Sequence, residues 1–117
     1  MTQVTVYGIP NCDTVKKTLD WLTKNKISFA FHDYKKSGIS KEKLTAWSKQ
    51  VGWEVLLNKK STTWRDLSES VQKKITSQTA AIQLMIENTS IIKRPVVETG
   101  NNLLVGFTET EFIKHLK

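Results

Sequence analysis

The sequence predicts an α/β fold in which a mixed four-stranded sheet carries helices on its faces and the chain has a helical insertion in its middle. Three observations predict this fold. A strand–helix–strand pattern occupies roughly the first 32 residues, a nearly all-helical stretch follows at about 40–88, and two short strands with a final helix close the chain. Its 117 residues suit one domain spanning 1–117.

The opening strand–helix–strand pattern is clearly marked. Apolar and polar residues alternate at 4–7, which is typical of a strand, and the sequence GIPN at 8–11 supplies turn residues. Apolar side chains then recur at i, i+4 and i+7 within a predicted helix over 12–25, and alternation returns at 27–32. A βαβ unit of this length places two parallel strands side by side. The inward helix residues are Val15, Leu19 and Leu22.

The middle of the chain is predicted to be helical after a polar loop at 33–39. Ser40 is placed to cap a helix that Gly52 ends, and the segment 53–57 is ambiguous. A short turn is expected at 64–67. Two further helices are predicted at 68–76 and 78–87, with these residues facing inward: Val71, Ile75, Ile82, Met85 and Ile86.

The last part of the chain returns to β structure. Pro95 disfavours a helical conformation for Arg94, so the helical stretch ends before it. Strands at 95–98 and 103–106 flank the turn sequence TGNN, which predicts an antiparallel hairpin. The sequence TETE at 108–111 is a capping box that opens a final helix with Phe112, Ile113 and Leu116 as its apolar residues. The element order is that of the thioredoxin arrangement with a helical insertion.

Composition excludes several classes of function. The net charge is +7, but sixteen of the eighteen basic residues are scattered lysines with no run of five, so direct nucleic-acid binding is not expected. No apolar run approaches the roughly 20 residues of a membrane span, and the N-terminus lacks a leader pattern, so we expect a cytoplasmic protein without membrane contact. Neither His32 nor His115 lies near a second ligand type at the spacing of a metal site, and no metal site or tightly bound cofactor is predicted.

The only cysteine, Cys12, lies where the first turn becomes a helix. Unpaired N–H groups and the positive end of the helix dipole favour an anion there, and the thiolate is the reactive form of cysteine. A buried, inert cysteine is the alternative. Because no second cysteine exists, a redox cycle needs a thiol from outside the chain, and glutathione is the expected co-substrate.

The sequence resembles the arsenate reductase (ArsC)–Spx family, and within it the YffB-like thiol reductases. The resemblance covers the whole chain and rests on four motifs: YGIPNCDT at 7–14, GWEVLLN at 52–58, TTWR at 62–65 and IIKRP at 91–95. It implies a thioredoxin-like fold, a nucleophile at Cys12, and a cis peptide bond before Pro95 that faces the cysteine.

The resemblance and the residue chemistry together define the predicted site. Cys12 and Arg94 are the predicted catalytic residues, with Arg94 matching one of three arginines that arsenate reductases of this family place around the cysteine. The sequences LNKK at 57–60 and LVGF at 104–107 carry no arginine at the other two places. Six residues are candidate substrate-binding groups, although helix capping or solvation explains several of them equally well: Asn11, Thr14, Lys59, Arg65, Lys93 and Pro95.

Three functions remain open from the sequence. The first is a thiol-dependent reductase that acts on a disulfide or an oxyanion through Cys12 and is resolved by glutathione or another external thiol. The second is an Spx-like regulator that binds RNA polymerase, with Cys12 as a sensor or without a role. The third, favoured least, is arsenate reduction.

Overall fold

The structure, a computed structural model, describes residues 4–100 and 102–116. The chain divides into two compact units, one formed by residues 1–37 and 94–117 and the other by residues 38–93. Within the described residues, no helix combines the length and apolar character that a membrane span requires.

The first unit is built on a four-stranded sheet in the order β2-β1-β3-β4. Its strands are β1 (Val4–Gly8), β2 (Phe29–Asp33), β3 (Val96–Thr99) and β4 (Asn102–Val105). β1 and β2 run parallel, and β3 is antiparallel to both β1 and β4. This is the thioredoxin-like mixed sheet that the sequence predicts. The hairpin turn includes Asn101, which lies outside the described residues.

Two helices in the first unit share one hydrophobic core with the sheet. They are α1 (Asp13–Lys24) and α8 (Glu109–Leu116). Leu22 of α1 and Phe112 of α8 are fully buried with the side chains that β1, β3 and β4 direct to the same side: Val4, Val6, Val97 and Leu104. Trp21 meets Phe112 edge-on, with ring centroids 5.4 Å apart. This core fixes the direction of α1 relative to β1.

The predicted loop at 33–39 is wrong in part, because a short helix α2 (Tyr34–Ser37) directly follows β2. The side chain of Asp33 accepts a hydrogen bond from the Lys35 backbone N–H at 2.9 Å, which turns the chain at the strand end. Tyr34 is almost fully buried, with 1% of its surface exposed. Because its neighbours in the sequence are polar, no hydrophobic pattern indicates that Tyr34 is buried.

The second unit is helical, as the sequence predicts. It contains α3 (Lys41–Val51), α4 (Trp53–Leu56), α5 (Thr62–Arg65), α6 (Glu69–Lys74), α7 (Gln78–Glu87) and a 3₁₀ turn at Thr89–Ile91. Ser40 caps α3 through the Lys43 N–H, as expected. Backbone hydrogen bonds join the last residues of the unit to its middle, from the Lys93 N–H to the Leu56 carbonyl at 2.8 Å and from the Asn58 N–H to the Ile91 carbonyl at 2.7 Å.

The apolar residues predicted for the later helices are buried to different degrees, and Ile75, predicted to face inward, is only partly buried. Val71 is 37% exposed, and α6 buries none of its residues. Ile113 is 46% exposed, since Phe112 rather than its neighbour faces the sheet. Ile86 is only partly buried, whereas Ile82 and Met85 are buried as predicted.

The contact between Gly8 and Val15 sets how closely α1 approaches the end of β1. A Cβ atom added at Gly8 would lie 2.7 Å from Cγ2 of Val15, which is too close for an undisturbed carbon pair. We expect Gly8→Ala to lower the free energy of unfolding by about 1–3 kcal/mol through overpacking. Denaturant unfolding of Gly8→Ala, of Val15→Ala and of the double variant Gly8→Ala/Val15→Ala measures this effect.

The double variant should lose less stability than the sum of the two single losses, because the smaller residue at 15 leaves room for the new methyl group. Strictly additive losses would show that the two side chains do not compete for this space.

Candidate active site

Cys12 is the N-cap residue of α1. Its backbone N–H closes the preceding turn on the Ile9 carbonyl at 3.2 Å, and its own carbonyl accepts the first helical hydrogen bond, from Lys16, at 2.9 Å. The residue has an extended backbone (φ −91°, ψ 126°), as an N-cap requires. The end of β1 and the start of α1 therefore hold the sulfur at the positive end of a twelve-residue helix.

Two opposing influences act on the Cys12 thiol. Burial raises its pKa, but hydrogen bonds from the Val15 N–H, the Arg94 side chain and the Thr14 N–H, with the positive charge of Arg94, lower the pKa below its ordinary value. In the structure the Cys12 side chain makes no capping hydrogen bond within the described part of the helix. The N–H groups therefore matter chiefly to the thiolate, which is the stronger acceptor.

Arg94 reaches the sulfur from the start of β3. The peptide bond between Arg94 and Pro95 is cis, as the family resemblance implies. Pro95 is buried, and its carbonyl accepts a hydrogen bond from the Gly106 N–H at 2.8 Å, which ties it to the end of β4. The strand hairpin thus fixes the backbone from which the half-buried Arg94 side chain extends.

Sequence reasoning missed three groups beside this site. Tyr34 lies in the electrostatic field of Arg94, and the Tyr7 hydroxyl donates a 2.7 Å hydrogen bond to Oε1 of Glu98. Burial, together with this carboxylate, raises the pKa of Tyr7. Tyr7 and Glu98 stand on neighbouring strands, so only the strand register, which the sequence does not specify, brings them together.

The remaining predicted residues fall into two groups. Asn11 and Thr14 are exposed beside Cys12, and neither is the N-cap residue of α1. Lys59, Arg65 and Lys93 belong to the second unit. There Lys59 stacks its ammonium over the Trp64 ring, 5.7 Å from the centroid, and Arg65 is the exposed last residue of α5.

No group of three or more His, Cys, Asp or Glu side chains suited to a metal ion occurs in residues 4–100 and 102–116. The chemistry that these residues offer is therefore that of a single thiol beside a fixed cation and a set of backbone donors. This arrangement stabilises a thiolate and, with it, an anionic group brought close to the sulfur.

The profile of the ArsC family matches residues 7–114. The chain belongs to the ArsC family. A protein of Haemophilus influenzae that carries no assigned function is 46% identical over 109 residues, which cover 93% of this ArsC-family chain and 95% of that protein. A solved structure of a YffB protein is 42% identical, with a TM-score of 0.93 over 97% of this chain and 99% of that one.

A more distant relative has a regulatory name. The global transcriptional regulator Spx of Streptococcus agalactiae serotype V is 27% identical over 110 residues, which cover 92% of this ArsC-family chain and 79% of that protein.

Removing the guanidinium should make the thiol harder to ionise. We expect Arg94→Ala to raise the pKa of Cys12 by about one unit, because a charged hydrogen-bond donor to the thiolate is lost. The rate of iodoacetamide alkylation as a function of pH measures this pKa, since only the thiolate reacts.

Lys24→Ala is the matched control, because it removes one positive charge from the far end of α1, roughly 18 Å along the helix axis. At that distance salt screens most of the effect. An unchanged pKa in Arg94→Ala would mean that the helix N-terminus alone acts on the sulfur.

Proposed function

We propose that this protein is a thiol-dependent reductase in which Cys12 is the nucleophile and an external thiol, glutathione above all, resolves the intermediate. The observation that carries the proposal is the place of Cys12 at the N-cap of α1, where the Val15 and Thr14 N–H groups and the Arg94 side chain lower the pKa of a partly exposed thiol. Membership of the ArsC family and the thioredoxin-like sheet support the same chemistry.

The reaction needs only sulfur exchange. The Cys12 thiolate attacks the glutathione sulfur of a mixed disulfide R–S–S–G, forming Cys12–S–S–G, while R–S⁻ leaves with the bonding electron pair and takes a proton from water. A second glutathione thiolate then attacks the sulfur of the bound glutathione and releases Cys12 as thiolate. In total, R–S–S–G and G–SH give R–SH and G–S–S–G, so the electrons that reduce R come from glutathione.

Arg94 has two roles in this scheme. Its positive charge favours the thiolate before attack, and the same charge attracts a carboxylate of glutathione or another anionic group of the substrate. Pro95 supports the backbone beside it. Asn11 and Thr14, exposed at the start of α1, remain proposed substrate contacts, as do Lys59, Arg65 and Lys93 of the second unit.

Incubation with oxidised glutathione tests the proposal. We expect intact-protein mass spectrometry to show one glutathione adduct per chain, at Cys12, that free glutathione removes. Reduction of a small mixed disulfide by glutathione should also be faster with the protein than without it, and Cys12→Ser should return the rate to the uncatalysed level. An absent adduct, or unchanged catalysis in Cys12→Ser, would refute the proposal.

A regulatory function is the second candidate, because the similarity to Spx extends over most of this chain. In that case RNA polymerase is the proposed partner, and the fold is a docking module. Binding to purified RNA polymerase that persists in Cys12→Ser, in a protein without disulfide reductase activity, would favour this function over the enzyme.

Arsenate reduction is the third and weakest proposal. Arsenate reductases of this family carry an arginine at three places, and this chain has an arginine at only one of them, Arg94. Lysine does not reproduce the two-pronged contact of a guanidinium with an oxyanion.

A further inference from the structure

A recess of about 240 Å³ lies beside α1 in the first unit. α1 forms one wall of this α1 recess, and the chain that leads from β4 into α8 forms the other. The residues that line it are Lys17, Asp20, Trp21 and Lys24 on α1, with Phe107 and Glu109 on the second wall. None of these side chains is part of the site described above.

Two aromatic rings form the apolar part of the α1 recess. Trp21 and Phe107 are both half-buried, with ring centroids 6.4 Å apart and ring planes inclined at 59°. Both rings pack against the fully buried Phe112, at centroid distances of 5.4 Å and 5.0 Å. The core therefore holds the two rings in place while part of each remains uncovered, which leaves a preformed apolar surface for another side chain.

Charged side chains of both signs surround these rings. Lys17, Asp20 and Lys24 follow one another along α1 at intervals of three and four residues, and Glu109 is the first residue of α8. Within residues 4–100 and 102–116, no ion pair joins any of the four to another side chain. A rim of both signs complements a polypeptide, which offers charges of both signs, better than it complements a simple anion or cation.

Both walls of the α1 recess begin at the site of Cys12. α1 starts directly after Cys12, and the second wall starts at Gly106, whose N–H donates a 2.8 Å hydrogen bond to the Pro95 carbonyl. Trp21 is the ninth residue of α1, so it lies about 13 Å from Cys12 along the helix axis. A molecule bound at the sulfur can therefore extend along α1 into the recess.

Distance and size together select a polypeptide as the occupant. An extended chain spans about 3.3–3.6 Å per residue, so a distance of about 13 Å corresponds to roughly four residues. Glutathione has a single residue on each side of its cysteine and does not reach so far. The volume of the recess also lies below the roughly 300–1,000 Å³ of typical small-molecule sites, and it suits one or two side chains.

We propose that the α1 recess binds the polypeptide part of the substrate. In the mixed disulfide R–S–S–G, R is then a protein, and an aromatic or large aliphatic side chain about four residues from its cysteine packs between Trp21 and Phe107. The four charged side chains of the rim pair with charged neighbours of that side chain. The inference rests on the proposed function, which it deepens by naming the substrate class, and the recess takes no part in the sulfur exchange itself.

Two glutathionylated peptides test this assignment. They are identical except that one carries phenylalanine, and the other alanine, at the fourth position on either side of a single cysteine. We expect kcat/KM to be about five- to twentyfold higher for the phenylalanine peptide, because partial burial of one aromatic side chain supplies part of the free energy of its full burial. Equal values for the two peptides would overturn the inference.

A pair of variants locates the effect in the recess. Trp21→Leu keeps an apolar side chain against Phe112 but removes the indole ring, and it should reduce the ratio of the two kcat/KM values to nearly one. Trp53→Leu is the matched control, since it removes a half-buried tryptophan from α4 in the second unit, and the ratio should not change. A ratio that stays high in Trp21→Leu, or that falls equally in both variants, would contradict the role of the recess.

Peptide binding is also measured without sulfur chemistry, by replacing the cysteine of each peptide with serine. At millimolar concentration the phenylalanine peptide should shift the NMR signal of the Trp21 indole N–H, identified by its loss in Trp21→Leu, more than the signals of the other three tryptophans. The alanine peptide should shift it little. An unshifted Trp21 signal, or equal shifts with both peptides, would overturn the inference.

The proposed function fails in a different way. An absent glutathione adduct, with no turnover of either peptide, would reject the reductase, and a Trp21 signal that still shifts with the phenylalanine peptide would show that the recess binds polypeptide nonetheless.

Discussion

The surroundings of Cys12 favour negative charge at its sulfur atom, and the first unit holds the groups that do so. Cys12 is the N-cap residue of α1, so its side chain meets backbone N–H groups that have no partner within the helix. Arg94 adds a full positive charge and a hydrogen bond from the neighbouring hairpin. Burial alone would make this thiol a weaker acid than cysteine in water, and the polar contacts reverse that effect.

The rest of the first unit keeps these partners in position. The hydrophobic core below the sheet fixes α1, and the absence of a side chain at Gly8 lets Val15 pack against the end of β1. The Gly106–Pro95 hydrogen bond fixes the other side of the site, where Arg94 begins. Each partner of the sulfur thus comes from an element that is held by packing or hydrogen bonds formed elsewhere.

Much of the fold follows from local patterns in the sequence. Alternation identifies β1 and β2, helical spacing identifies α1 and α7, and the turn residues before 103 identify the hairpin. The exact position of a helix face does not follow from spacing alone, so Val71 is exposed where burial is predicted. Tyr34 was missed because one buried aromatic residue among lysines has no recognisable period.

The sequence predicts the site only in part, because local patterns do not specify contacts between residues that are distant in the chain. The position of Cys12 depends on local sequence, since a turn followed by a helix defines an N-cap. The contact with Arg94 depends on tertiary structure and was expected only from the family resemblance. The Tyr7–Glu98 pair depends on strand register; Tyr7 begins the motif at 7–14, but nothing in the sequence pairs it with Glu98.

Titration of Cys12 in the folded and in the unfolded chain shows whether the fold lowers the pKa of this thiol. The alkylation rate is measured against pH for the native protein and for the same protein in concentrated urea, where the helix and the Arg94 contact are lost. We predict a lower pKa for Cys12 in the native protein, with the unfolded chain near the ordinary value of about 8.5. Equal values in both states, or a higher value in the native protein, would contradict it.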